Sequence, residues 1–436
     1  MIATASSGHI AALYAARIVS GLGIGALTVT GPVSIVEIAP TETRGLMAVW
    51  FSVAMLLSLF VAVFCTYGVF LHVAASSLQY QIVFFAPCIF MALMCALSFA
   101  PFCLESPRWL FLTGNSERAS ESLVLLRGLG DSHPRLLSER DEILAQAEKE
   151  RAQYGNVARS TSWTGIRATF TEAFTVKANL RRVQQALVSY ALAQLSGANS
   201  ITAYFVPILK LIGAASDDKA QSLFLTGMYS FAKFCFTLIA SFFFIDALGR
   251  RKSLFTGIIL QMVSDIYVGV FIKYKQSGPV SSSSSQAAIA MIFIHGFGYA
   301  VGLLVLPYVF GAEVWPNQLR SFGSALAQTF HWLFFFGISR GTPSILSSMD
   351  NWGAFLFFAG WCFVSLVYVY LVVPETAGQS LEEIDELFEG SWFMAWRSDK
   401  KKVKDIEVLD GHGPSVDSGN PPKTMNQSTK APDVSA

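Results

Sequence analysis

Nine stretches of this chain are apolar over the roughly 20 residues a helix needs to cross a bilayer: about 10–33, 46–71, 82–104, 184–209, 221–245, 253–273, 287–312, 323–346 and 351–373. Within hydrocarbon every backbone N–H and C=O must find its partner inside the protein, and a single segment does this only as a helix. Glycine and proline recur inside the stretches, as membrane helices tolerate. Composition points the same way. Hydrophobic residues make up 53% of the chain and charged ones 14%, too little charge to cover a soluble protein of this length. The class expected is an all-α membrane protein, multi-pass in topology. A net charge of +1 gives no support to a nucleic-acid partner.

The six cysteines, Cys65, Cys88, Cys95, Cys103, Cys235 and Cys362, all lie in apolar runs without a C-x-x-C spacing. They read as small buried side chains rather than metal ligands or disulfides, and no cofactor is expected. Residues 1–16 lack the basic start and strong apolar run of a cleaved signal.

Basic residues set the orientation. Arg108, Arg118, Arg127, Arg135, Arg181 and Arg182 crowd the polar segment after the third stretch. Arg250-Arg251-Lys252 and the tail with Lys400, Lys401, Lys402 and Lys404 fall on the same side when the stretches are counted, so that side is cytoplasmic. Lys210, Lys219, Lys273 and Lys275 dilute the contrast on the other side. Four parts follow: a partial N-terminal transmembrane bundle (1–104), a cytoplasmic linker with short amphipathic helices near 116–127 and 136–153 (105–182), a six-helix C-terminal bundle (183–374), and a cytoplasmic tail (375–436) that becomes disordered after about 395. The sequon Asn426-Gln427-Ser428 lies in that tail and is discounted.

A repeat ties the two bundles together. Glu37-Ile38-Ala39-Pro40-Thr41-Glu42-Thr43-Arg44 and Glu313-Val314-Trp315-Pro316-Asn317-Gln318-Leu319-Arg320 both read E-x-x-P-x-x-x-R, each between two apolar stretches. Internal repeats in a multi-span chain mark the architecture of two similar halves that transporters use. Measured by this repeat the intact arrangement is six spans plus six, and the first two helices with most of a third would precede Met1.

Further residues carry a resemblance. Arg17-x-x-x-Gly21-x-Gly23-x-Gly25, then Pro32, Glu37-Ile38-Ala39-Pro40 and Arg44-Gly45, form one motif. Glu105-Ser106-Pro107-Arg108-Trp109-Leu110 forms a second, with Leu104 where a proline is usual. Asp246-x-x-Gly249-Arg250-Arg251 is a third, and Pro374-Glu375-Thr376-x-Gly378-x-x-Leu381-Glu382-Glu383-Ile384 a fourth, with Ala377 replacing a lysine. In this order, and over nearly the whole chain, they resemble the sugar porter family of the major facilitator superfamily in its fungal form. The resemblance implies the major facilitator fold, here with an incomplete N-terminal bundle of three full spans, an N-terminally truncated member, and a complete six-helix C-terminal bundle. It also implies a gating ion-pair network of Glu37, Arg44, Glu105, Arg108, Asp246, Arg250, Arg251, Glu313, Arg320 and Glu375 at the cytoplasmic helix ends, opening and closing between the halves.

A sugar site needs amides for the hydroxyl rim and an aromatic plate for the C–H face. Gln194-x-x-Gly197-x-Asn199 followed by Tyr204 resembles the family's binding stretch, and Gln194 and Asn199 are close enough in sequence to face a similar direction on a helix. Trp332 matches a family tryptophan, with His331 beside it and Tyr308 standing where tryptophan is usual. Ala193, Ser52, Phe335 and Leu304 replace the glutamine, glutamine, asparagine and glycine usual at their places. The solute expected is therefore a sugar, a polyol or a sugar acid such as quinate, with His331 or Lys233 able to meet a carboxylate. By resemblance Arg17 is the proton-coupling arginine, and its partner acid would lie before Met1. Lys233, Asp265, His295 and His331 are ionisable groups inside spans, functional candidates by default, although Asp265 is expected on a peripheral helix.

The function expected is secondary active transport of a sugar or related polyhydroxylated solute, coupled to protons, by alternating access, in a monomer of the plasma membrane. The alternatives are a transporter-like nutrient sensor and a non-transporting truncated fragment. No nucleophile–base pair, metal-ligand cluster or phosphate loop suggests an enzyme, and the glycines of residues 21–25 lie inside a span.

Overall fold

The structure, a computed structural model, describes residues 9–40, 44–99, 104–154, 163–214, 218–244, 249–304, 314–375, 387–389 and 392–393. Its elements are helices. The first half contributes α1 (Ile10–Ile38), α2 (Arg44–His72) and α3 (Ser77–Leu97). The linker contributes α4 (Pro107–Thr113), α5 (Ser116–Arg127), α6 (Pro134–Tyr154) and α7 (Trp163–Thr175). The second half contributes α8 (Lys177–Leu195), α9 (Ala198–Ala203), α10 (Phe205–Ile212), α11 (Lys219–Ile239), α12 (Arg250–Ser277), α13 (Ser282–Tyr299), α14 (Asn317–Ser348) and α15 (Trp352–Leu371). Short π-helical turns, Ala240–Phe244 and Ala300–Leu304, extend α11 and α13.

Seven of the described helical segments are long and apolar enough to cross a membrane. The other two expected crossings are α14 and the chain of α8, α9 and α10. Side-chain oxygens start several helices: Ser76 accepts from the amide of Leu78, Asp218 from that of Ala220 and Ser281 from that of Ser284. The linker pattern read near 116–127 and 136–153 matches α5 and α6. These helices share a small core of Leu110, Phe111, Ala119, Leu123, Leu136, Ile143 and Ala147. Arg127 fastens that core to the first half. Its guanidinium makes a two-pronged bond to Glu139 (2.9 and 2.6 Å) and donates to the Ile38 carbonyl at the end of α1 (2.9 Å).

The halves meet along α2 and α11. Phe60, Phe64 and Tyr67 of α2 pack on Phe224, Phe231 and Phe234 of α11, with ring centroids 5.1–6.5 Å apart. Gly227 makes the approach possible, since a Cβ there would stand 2.6 Å from the Phe64 ring. Val49 and Leu56 of α2 are buried in one cluster with Leu254 and Ile258 of α12 and with Leu303. The second half has its own core, in which Ile201, Phe205, Ile208 and Ile212 meet Tyr229, Val268, Phe271, Ile292 and Phe355. By contrast no residue in the most apolar windows of α1 and α3 is buried, as side chains facing lipid tolerate.

Two expectations change here, and a third gains detail. Cys65 and Cys95 are exposed and Cys88 and Cys235 half-buried, so of the described cysteines only Cys362 is a buried core group. An apolar residue in a membrane can be shielded by lipid instead of by protein. Cys103 lies outside the described residues. Asp265, on the helix expected at the periphery, has its own side chain 1% exposed and turned into the second half. Gln194 and Asn199 do not share a helix, because the chain breaks between them. α8 ends at Leu195, Gly197 takes φ +81°, and α9 begins at Ala198. Only glycine suits that site, since a Cβ would meet the Phe358 ring at 2.6 Å as well as strain the backbone.

Two outcomes follow from this packing. Gly197→Ala is expected to cost on the order of 1–3 kcal/mol from backbone strain alone, read as a lowered thermal midpoint of the purified protein in detergent. An unchanged midpoint would refute the geometry of the break. Arg127→Ala removes about 1 kcal/mol or more of docking and should raise protease cleavage of the linker roughly fivefold with the helical content unchanged.

Candidate functional site

The expected solute-binding residues gather at the α8–α9 break. Asn199 donates from Nδ2 to Oε1 of Gln194 (2.6 Å), and Gln194 in turn offers its Nε2 to Nδ1 of His331 on α14 (3.3 Å). This direction leaves the imidazole hydrogen on Nε2. Gln194 is fully buried, so its amide is held by these two neighbours and not by solvent. Trp332 packs edge-on to His331 and Phe335, with centroids 5.2 and 5.7 Å away. Its indole N–H donates across to the Thr28 hydroxyl of α1 (3.3 Å). A single row of polar and aromatic groups thus runs from the break in the second half to a helix of the first. Tyr204 caps the same segment, its hydroxyl donating to the Ser339 carbonyl (3.2 Å). Tyr308 lies outside the described residues.

Several participants had not been read from the sequence. Tyr190 stands edge-on to His331 at 5.1 Å and accepts from Gln328 (3.4 Å). It sits one turn before Gln194 on the same face of α8, so helical spacing was a usable signal. Thr28 and Ser339 carried none, because their partners come from remote elements. Thr202 receives the Lys233 ammonium on its hydroxyl (3.0 Å), and the same ammonium lies over the rings of Tyr229 (5.9 Å) and Tyr299 (5.6 Å). Lys233 has no carboxylate partner among the described residues. Of the substituted positions, Ala193, Ser52 and Leu304 are buried, while Phe335 stacks on His331 at 6.3 Å.

The second group of expected residues lies at the helix ends on the linker side. Glu375, just after α15, accepts from the backbone amides of Arg250 and Arg251, both at 3.0 Å. A carboxylate on two unsatisfied amides at a helix N-terminus complements the local dipole. Arg251 also donates to the Tyr370 carbonyl (2.7 Å), clamping α12 to α15. Arg250, Arg251 and Arg320 are buried and Glu37 and Arg108 half-buried. Glu105 pairs loosely with Arg118 (3.9 Å) where both are exposed. Arg181, at the start of α8, donates to the Leu387 carbonyl (2.7 Å), and Arg182 stacks on Phe388 (4.8 Å). Asp246, Glu313 and the Arg44 side chain lie outside the described residues. The pairings seen are therefore within one half or between it and its flanking segments. Arg17 is exposed on α1, with its guanidinium over the Phe84 ring at 5.9 Å and no carboxylate partner among the described residues.

Comparison with known proteins bears on this arrangement. The model of the family described as sugar (and other) transporter matches residues 1–388. The quinate permease of Emericella nidulans is 30% identical over 399 residues, covering 90% of this chain and 72% of that protein. A probable quinate permease of Aspergillus fumigatus is 31% identical over 390 residues, covering 88% and 69%. Among solved structures, the proton:xylose symporter XylE bound to 6-bromo-6-deoxy-D-glucose has a TM-score of 0.70 at 21% identity, over 88% of this chain and 75% of that one. Inward-open XylE from E. coli has a TM-score of 0.60 at 20% identity, over 87% and 74%. At that identity the likeness establishes the fold. Taken with the match along residues 1–388, it makes this chain a member of the sugar transporter family, a multi-pass membrane protein on the major facilitator fold that carries a sugar or related solute by secondary active transport.

Proposed function

We propose that the solute is a polyhydroxylated acid of the quinate type, carried with protons by alternating access at the row Asn199–Gln194–His331–Trp332. The observation that carries this reading is the position of the row: its amides are preorganised in the second half, and its tryptophan reaches Thr28 in the first. A solute held between the halves feels both of them move. Tyr204 and Tyr308 belong to the same site by resemblance.

Two features favour an acid over a neutral hexose. Lys233 is a buried ammonium next to the break with no carboxylate partner among the described residues, and the chain's relatives include quinate permeases. Ala193, Ser52 and Phe335 also remove side-chain amides usual in the family, and Leu304 fills the place of a glycine. Each amide hydrogen bond lost to a hexose costs about 0.5–1.5 kcal/mol, which a charge-assisted contact to a carboxylate offsets.

Arg17 is the coupling arginine, released or held by the protonation of an acid that faces it. Glu37, Arg44, Glu105, Arg108, Asp246, Arg250, Arg251, Glu313, Arg320 and Glu375 form the cytoplasmic gate, with the Glu375 cap on α12 as its clamp in the second half. The protein works as a monomer in the plasma membrane with its tail in the cytoplasm.

Uptake of labelled quinate, xylose, glucose and glycerol by yeast lacking its hexose carriers tests the proposal. Saturable quinate uptake that a protonophore abolishes is the expected result. Asn199→Ala should raise KM about tenfold, the equivalent of one lost hydrogen bond at a buried site. Lys233→Met should lower quinate uptake at least as much while sparing any neutral solute. Quinate uptake no greater than in vector-only cells, beside clear uptake of a hexose, would overturn the acid preference.

A further inference from the structure

One cluster is used neither by the solute row nor by the cytoplasmic gate. Asp265 on α12 and His295 on α13 face each other, both almost wholly enclosed. His295 Nε2 lies 3.5 Å from Oδ2 of Asp265 and 3.2 Å from the main-chain carbonyl of Ser196. Ser196 is the residue at which α8 stops, so its carbonyl belongs to the break that sets Asn199 and Tyr204 in place. Gln261, one turn before Asp265 on α12, is equally enclosed, and among the described residues neither its amide oxygen nor its nitrogen has a hydrogen-bond partner; the same holds for Nδ1 of His295. Such orphaned groups mark a place where a proton or water is accommodated.

Other ionisable groups surround the pair. α11 brings the Tyr229 hydroxyl, which lies beside Gly296 of α13, and the Lys233 ammonium. α15 brings the buried Cys362 thiol, and α13 brings Tyr299 one turn after His295. Lys210 on α10 sits in that helix's last turn.

The chemistry follows from counting hydrogens. Nε2 carries at most one, and two acceptors compete for it. An ionised Asp265 draws it by a charge-assisted bond. A protonated Asp265 no longer competes, and the N–H is left to the Ser196 carbonyl. The proton comes from water and returns there; no other bond changes. Taking it up also removes a net charge from a place where an isolated charge is costly.

We propose that Asp265 and His295 form a proton-binding site in the second half, remote in sequence from Arg17, whose occupancy sets how firmly the Ser196–Gly197 break is tied to α13. Its consequence for uptake rests on the transport reading above, whereas proton binding is measurable without it.

The full chain, purified in lipid nanodiscs, would be titrated from about pH 4 to 9 by infrared difference spectroscopy. The expected signal is the carbonyl band of an enclosed, protonated carboxylic acid that is absent in Asp265→Asn. Its midpoint should shift by about one pH unit or more in His295→Gln. A spectrum with no such band, or a band that persists in Asp265→Asn with an unmoved midpoint in His295→Gln, overturns the proposal. Should Asp265→Asn not fold, Asp265→Glu keeps the acid and must move the band and its midpoint; a band identical to wild type overturns the proposal as well. The pH profile of quinate uptake should flatten in His295→Gln. A chain that shows the band but takes up no quinate leaves this site standing and overturns the solute reading instead.

Discussion

Backbone amides and carbonyls have no water to bond with inside a bilayer, and the whole arrangement follows from that constraint. Helices satisfy these groups by themselves, so a chain can cross lipid wherever it stays helical. It can abandon the helix only where other protein groups take over the freed polar atoms. The interruption at Ser196–Gly197 obeys this rule: it is enclosed by α12, α13 and α15, Phe358 covers the glycine, and His295 reaches the Ser196 carbonyl. The place where the helix fails is also where the proposed solute row is assembled. Non-helical backbone supplies directed polar groups, and directed polar groups are what a polyhydroxylated solute needs.

The two interfaces of the second half have opposite character, and each fits its role. Toward α2 the contact is a set of aromatic rings around Gly227, non-directional and able to slide by small steps. Toward the linker side the contacts are directed hydrogen bonds: Glu375 on two amides of α12, Arg251 on Tyr370, and Arg181 on Leu387. The first contact can slide as the halves move, while the second ties α12, α15 and the start of α8 into one unit. The linker is not a loose tether. Its small core and the Arg127 bridge to Ile38 and Glu139 give it a fixed seat on the first half.

The membrane class, the helix content, most span boundaries and the family were legible in the amino-acid order, because each depends on local runs and short motifs. Ser116–Arg127 and Trp352–Leu371 coincide closely with expectation for that reason. Lys177–Ile212 was harder. Its apolar run looked continuous, while the positive φ of Gly197 and the nearness of Phe358 come from packing that no window contains. The surroundings of Asp265 show the same limit. A charged residue within an apolar run signals a cost, yet only the neighbouring helix, with His295, says where that cost is met.

What the chain's order alone determined is that it crosses a membrane as helices, in two related halves, with basic ends on one side and amides near residue 194. Hydrophobic run length, charge asymmetry and motif spacing are properties of consecutive residues, and they survive without a fold. Tertiary structure alone decided that Gln194 joins Asn199 to His331, that Trp332 meets Thr28, that Glu375 caps α12 and that His295 stands between Asp265 and Ser196. Each of these joins residues brought together by helix packing, and packing geometry is a sum over many distant side chains that no local pattern encodes.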